Sequence, residues 1–311
     1  MKVNETNKDN KPNVLSIVKP KKVRVDLGIK IAFTVVFILY TVILFTPFVW
    51  MFINSFKDGA REYFESNTWA FPKDWKIGNY GALFELEDES LNFFNMFFYS
   101  IIYCLIVPTM GCISTTLAAY VMAKYRFKAR RVLMFVFLIP MVFHIAGTGS
   151  SMVLLFNRMG FDKMPFVGIA CMAAGGVGMN FLLVYSLFKT VSDTYMEAAR
   201  IDGAGQFRIF GEIMLPHAMG IVGTIWVIGA IGAWNDYATP KIYLEDSEIY
   251  TIALGIQKIQ SKVLSTNGDA FFRNNFPVFY AAIIISLIPV IVVFLIFQKK
   301  IMALSLGGGI K

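Results

Sequence analysis

The segment from Asp193 to Pro216 concentrates the residues whose types and spacing could do chemistry. Thr194 and Glu197 have the T-x-x-E spacing of a capping box, in which each side chain satisfies a backbone N–H at the start of a helix, so a helix is expected to begin here. Ala198, Ala199 and Ile201 would give that helix a small, flat, partly apolar surface, and Asp202-Gly203 is turn chemistry that ends it. A second short helix is expected from Gln206 to Met214, with Phe207, Phe210, Ile213 and Met214 on one side, after which Leu215-Pro216 resets the chain. This chemistry is recognition rather than bond-making. A compact helix–turn–helix offering an Ala/Gly surface has the form of a plug for a partner's groove.

The rest of the chain is poor in reactive constellations. The two histidines are 73 residues apart, and Cys104, Cys112 and Cys171 show no CxxC spacing, so neither a metal site nor a disulfide framework is expected. No GxxxxGK[ST] phosphate loop occurs. We therefore expect no metal, no cofactor and no catalytic residue, with energy supplied by a partner or an ion gradient.

The elements that must hold the 193–216 segment follow from composition. Of 311 residues 56% are hydrophobic, 16% are charged and 30 are Phe, with a mean hydropathy of +0.59. Soluble chains carry about 25% charged residues. Six runs are long and charge-free: Ile31–Phe56, Leu91–Ala123, Val132–Asn157, Met164–Phe188, Ala218–Asn235 and Asn274–Gln298, the fifth expected to continue past Asp236 to Pro240. Such runs can cross a hydrocarbon core of about 30 Å. An all-α polytopic membrane protein with six transmembrane helices is expected. Its parts are a basic N-terminal segment (1–30), a first transmembrane helix (31–56), an extracytoplasmic loop (57–90), a core of five helices (91–298) containing the 189–217 loop, and a C-terminal tail (299–311). Nineteen Lys and Arg fall on the side of both termini and ten on the other, so both termini are expected in the cytoplasm. The same topology accounts for the net charge of +8 without nucleic acid. The polar, lysine-rich start is not expected to be a secretory leader.

Membrane depth singles out further side chains. Asp236, beside Trp234 and Asn235, reads either as a functional ionisable group or as an Asx-type cap ending its helix before Pro240. His144 reads as a hydrogen-bonded packing residue or as a ligand contact. Small residues at four-residue spacing, Gly111/Thr115/Ala119/Ala123 and Ala170/Ala174/Gly178, let helices approach closely, within this chain or with another membrane subunit.

Glu197-Ala198-Ala199, three residues, Gly203, nine residues and then Ile213-x-Leu215-Pro216 resembles the EAA motif of ABC importer permeases in every spacing. Trp234-Asn235-Asp236-Tyr237 with Pro240 is similar to an element of the carbohydrate-importer permeases. So are the Phe297-Gln298 tail, Asn54-Ser55-Phe56-Lys57 and Asn79-Tyr80. The resemblance spans Thr46 to Lys311 and is nearest in type to the smaller, six-helix permease of maltose importers. It implies a bacterial-type inner-membrane permease with a type I importer fold, forming half of a pathway for a sugar or oligosaccharide. It also implies a second permease subunit, a cytoplasmic ABC ATPase dimer engaged by the 189–217 loop through Glu197, Ala198, Ala199, Asp202, Gly203, Ile213, Leu215 and Pro216, an extracytoplasmic solute-binding protein, and surrounding membrane lipids. Trp234, Asn235, Asp236 and His144 become pathway or substrate candidates.

Competing classes make distinct demands. An ion-coupled secondary transporter calls for internal repeats and buried midplane acids, and a membrane-embedded enzyme for clustered His, Asp or Glu. Acids are absent from the six runs, and only the expected extension of the fifth to Pro240 takes one in, Asp236. An amino-acid or polyamine permease is the rival within the same class.

Overall fold

The computed structural model describes residues 27–65, 67–86, 91–142, 178–244, 249–265 and 271–307, together with 151, 154–155, 158, 166 and 168. His144, Cys171, Ala170 and Ala174 lie outside the described residues. Two units are distinguished, Met1–Val49 and Trp50–Lys311.

In the first unit the described residues belong to helix α1 (Leu27–Ser55). Its Phe33, Phe37, Ile43 and Phe45 are each more than half exposed, a surface that suits lipid rather than water. Thr34, Thr41 and Thr46 return their hydroxyl protons to the carbonyls of Lys30, Phe37 and Val42 at 2.7–2.9 Å, which removes an unpaired polar group from each.

The second unit is built on α4 (Phe93–Lys124), preceded by the short α2 (Gly59–Glu65) and α3 (Gly78–Gly81). After it come α5 (Arg130–Val142), α6 (Met179–Thr190), α7 (Thr194–Ile201), α8 (Gln206–Arg208), a π-helical turn (Ile209–Met214), α9 (Leu215–Asn235), α10 (Ala238–Leu244), α11 (Ile252–Leu264) and α12 (Phe276–Gly307). Among the described residues four helical runs are long and apolar enough to cross a membrane: Leu27–Ser55, Phe93–Lys124, Gln206–Asn235 and Phe276–Gln298.

Helix α4 has two apolar clusters along its length. Near its start Phe93 and Met96 are buried with Leu83, Ile252, Ile259 and Val278. Near its end Ala119, Tyr120 and Met122 are buried with Phe181 and Phe188 of α6 and with Met196, Ile209 and Met214. The stripe of small residues on α4 is used inside this chain: Thr115 is buried and Ala119 fully so, packed in the second cluster. Between the clusters α4 and α9 approach closely. A Cβ on Gly229 would meet Pro108 at 3.1 Å, and the Trp226 indole donates to Thr109 Oγ1 at 2.9 Å.

The Asn54–Lys57 and Asn79-Tyr80 pairs close on one another. Asn79 Nδ2 donates to the carbonyls of Ser55 (2.8 Å) and Lys57 (2.9 Å), and Ser55 Oγ lies 2.6 Å from Tyr80 OH. Lys57 is fully buried and its ammonium donates to the Asn67 carbonyl at 3.1 Å. Burial pushes its pKa down, against the opposing charge of Glu62.

Three local expectations are corrected. No capping box forms: Asp193 occupies the N-cap, Thr194 is the first helical residue, and its N–H and hydroxyl both meet Ser192 Oγ. Pro216 does not reset the chain, because Gln206–Asn235 is one helical run. A proline lacks an N–H and crowds the carbonyl four residues back; the wider π-turn before it, with the Leu215 N–H reaching the Phe210 carbonyl, absorbs that defect. At the other end α9 stops at Asn235 instead of continuing to Pro240, since Asp236 turns extended (φ −76°, ψ 108°) before α10 begins.

Candidate functional site

Helix α7 is amphipathic about a narrow inward face. Met196 and Ala199 are buried in the cluster with Tyr120 and Phe188, while Glu197, Ala198 and Ile201 point outward, Ile201 with 87% of its surface exposed. Ala199 therefore packs inward and does not share the outer surface of Ala198 and Ile201. The helix ends in a Schellman motif. Ala204 N–H bonds the Ala199 carbonyl at 2.9 Å, Gly203 N–H bonds the Arg200 carbonyl at 3.0 Å, and Gly203 takes φ +78°. Beyond that turn Phe207, on the same loop, is 92% exposed. Phe207 is thus separated from Phe210, Ile213 and Met214, which turn inward around Tyr120, Phe210 at 5.0 Å between ring centroids. Asp202, Gly203 and Pro216 are exposed, and Ile213 and Leu215 half-buried.

The loop is tied to the end of α4. Lys124 Nζ meets Asp193 Oδ1 at 2.6 Å and also donates to the Val191 carbonyl, and Tyr125 OH donates to Gln206 Oε1. The Lys124 hydrogen bond, and then its charge, hold the Asp193 carboxyl below the usual range. Glu197 makes no side-chain hydrogen bond or ion pair among the described residues. The result is a pinned turn with two bare apolar side chains, a free carboxylate at Glu197 and a glycine at its apex. Sequence reading missed the Lys124–Asp193 anchor because the basic 124–131 link was already accounted for by topology.

At the far end of α9, Trp234, Asn235 and Asp236 have separate roles. The Trp234 indole donates to the Ser286 carbonyl at 3.1 Å and meets Phe97 edge-on at 5.9 Å. Asn235 Nδ2 donates to the Ile231 carbonyl at 2.9 Å. Asp236 uses both carboxylate oxygens within the chain: Oδ1 accepts from Thr239 N–H at 3.0 Å and Oδ2 from the buried Tyr103 hydroxyl at 3.2 Å. Trp234 and Asn235 line a cavity of about 540 Å³ together with Tyr237 and Lys241 of the α10 region, Gln257 and Gln260 of α11, and Ser286; Asp236 does not line it. The α11 residues escaped the sequence reading because they lie in a charged link. Thr251, whose hydroxyl accepts from Leu254 N–H at 3.4 Å, is the N-cap that would have signalled the helix. Among the described residues no group of three His, Cys, Asp or Glu side chains could hold a metal ion.

Residues 114–302, which include both sites, match the family described as binding-protein-dependent transport system inner membrane component. The chain is 30% identical to the maltodextrin transport system permease protein MdxG of Bacillus subtilis (strain 168), over 88% of this chain and 93% of that protein. It is 25% identical to the diacetylchitobiose uptake system permease protein NgcG of Streptomyces coelicolor, over 85% of this chain and 83% of that protein. In fold it is similar to a chain of a bacterial ABC transporter involved in the import of the acidic polysaccharide alginate. That likeness has a TM-score of 0.70 at 23% identity and covers 90% of this chain and 99% of the other.

Proposed function

Because the chain belongs to the family of binding-protein-dependent transport system inner membrane components, we propose that it is the permease subunit of an ATP-driven importer and forms half of a transmembrane pathway for a sugar or oligosaccharide. Six helices cross the membrane, with both termini and the α7–α8 loop in the cytoplasm, in keeping with the bias of Lys and Arg. A second permease subunit completes the pathway. A cytoplasmic ATPase dimer receives the loop, and an extracytoplasmic solute-binding protein delivers the sugar.

The observation that carries the coupling reading is the pinned turn. Ile201 and Phe207 are nearly fully exposed, yet the backbone beneath them is locked by the Schellman motif and the Lys124–Asp193 pair. Large apolar side chains left bare on a rigid support mark an interaction surface. The sugar reading is supported by the relatives named for maltodextrin and diacetylchitobiose uptake. Uptake of labelled maltose, maltodextrin, diacetylchitobiose, an amino acid and a polyamine by a deletion strain, with and without the restored gene, tests it. Loss confined to saccharides is expected; loss confined to the amino acid or polyamine would refute the sugar reading.

A further inference from the structure

The cavity at the end of α9 is lined by polar groups that the described residues of the chain leave unused. Gln257 is the strongest case. Its Oε1 is buried without a hydrogen-bond partner, and its amide nitrogen makes no bond among the described residues. A buried acceptor without a donor lowers stability, so its retention calls for an explanation outside the bare fold. Tyr237, Lys241 and Gln260 on the same wall likewise make no side-chain hydrogen bond or ion pair among the described residues. Trp234, Ile252, Ala253 and Ile256 supply the apolar part of the wall.

This lining discriminates among solutes. A polyamine needs carboxylates; among the described residues no acid lines the cavity, and the one charged lining side chain is the cation Lys241. A zwitterionic amino acid needs partners of both signs. A saccharide ring carries hydroxyls that donate and accept at its edge, and C–H faces that suit an aromatic wall. The cavity's 540 Å³ falls within the range of about 300–1,000 Å³ typical of small-molecule sites.

We propose that this cavity is a saccharide-contact subsite contributed by this chain, in which sugar hydroxyls satisfy the Gln257 amide and Lys241 and Gln260 hold the ring edge beside Trp234. Asp236 is a positioning residue there: by capping α10 and accepting from Tyr103 it fixes the break that sets Tyr237 and Lys241 against α11. The inference rests on the saccharide reading of the permease.

The test uses the complete transporter in proteoliposomes with its ATPase, second permease and binding protein, and labelled maltose, maltotriose and diacetylchitobiose as probes. If the wild type imports none of them, the saccharide reading falls and the subsite with it. Where the wild type imports one, Gln257→Leu should lower its uptake about ten-fold or more. Its thermal midpoint should be unchanged or raised, because a near-isosteric apolar side chain removes an unpartnered buried acceptor. A purely structural glutamine would not separate uptake from stability in this way. Wild-type uptake by Gln257→Leu overturns the subsite and leaves the importer reading standing. If that variant fails to assemble, Gln260→Ala decides, since Gln260 is exposed: a drop of about three-fold or more supports the subsite, and undiminished uptake overturns it.

Discussion

Gly203 stands at φ +78° with open space where a Cβ would be, so replacing it acts through backbone strain and not through a clash. Gly203→Val should strain the turn by about 1–3 kcal/mol. Membrane abundance should hold while uptake and substrate-stimulated ATP hydrolysis both fall; full uptake with normal ATPase assembly would mean that this turn does not couple the two. Asp236 makes the opposite prediction. An amide oxygen can still accept from Thr239, so Asp236→Asn should keep uptake within about three-fold of wild type. Asp236→Ala abandons both the cap and the buried Tyr103 hydroxyl and should cost about 1–3 kcal/mol in thermal stability. Equal stability of the two variants would remove the capping role. Lys57 adds a pH signature. Its pKa is depressed in the fold, so the folded state binds fewer protons than the unfolded one between that lowered value and the ordinary 10.5. Its favourable contribution is full above 10.5 and is lost as pH falls through the folded pKa. Melting of the detergent-solubilised protein should therefore rise with pH across that window more steeply for wild type than for Lys57→Met, and parallel profiles would contradict it.

Among elements, α11 shows how tightly the cavity wall is set. A Cβ on Gly255 would fall 1.8 Å from Met96 Sδ, and Met96 is fully buried and cannot swing into solvent. Gly255→Ala should destabilise by about 1–3 kcal/mol through overpacking, despite the better helix propensity of alanine. In the double variant with Met96→Ala the two costs should not add, and strict additivity of the melting shifts would show that the contact is not the cause. The long apolar elements were legible in the sequence. The observed α1, α4 and α12 start within about four residues of the charge-free runs because hydrocarbon thickness alone dictates such runs. The loop was legible as to place and turn, but its details were not. Thr194 and Glu197 had capping-box spacing, yet Asp193 took the cap because Lys124, nearly seventy positions earlier, holds it there. Pro216 looked like a break because the local rule assumes α geometry, and a π-turn evades that rule. The cavity wall was hidden for a different reason: Gln257 and Gln260 come together with Trp234 and Asn235 only when α11 is folded back over the end of α9.

For the whole molecule, orientation follows from charge and is checked by access. A cysteine at Asp74, exposed beyond α2, should react with an impermeant thiol reagent in cells with a permeable outer membrane, and one at Lys128 should not. Labelling at the Lys128 position in intact cells would invert the topology. The unbroken run from Gln206 to Asn235 has a further mechanical consequence. Thirty residues at about 1.5 Å each make a rod of about 45 Å. The pinned turn grips one end, while Trp234 and Asn235 stand at the other. A tilt of about 5° about the rod's midpoint swings each tip by about 2 Å. That arc is comparable to the gap between a hydrogen bond made and one lost. The chain thus contains a lever arm joining the two places, so on the proposed reading a push at the loop end and the grip on a solute at the other would be one motion read at two places.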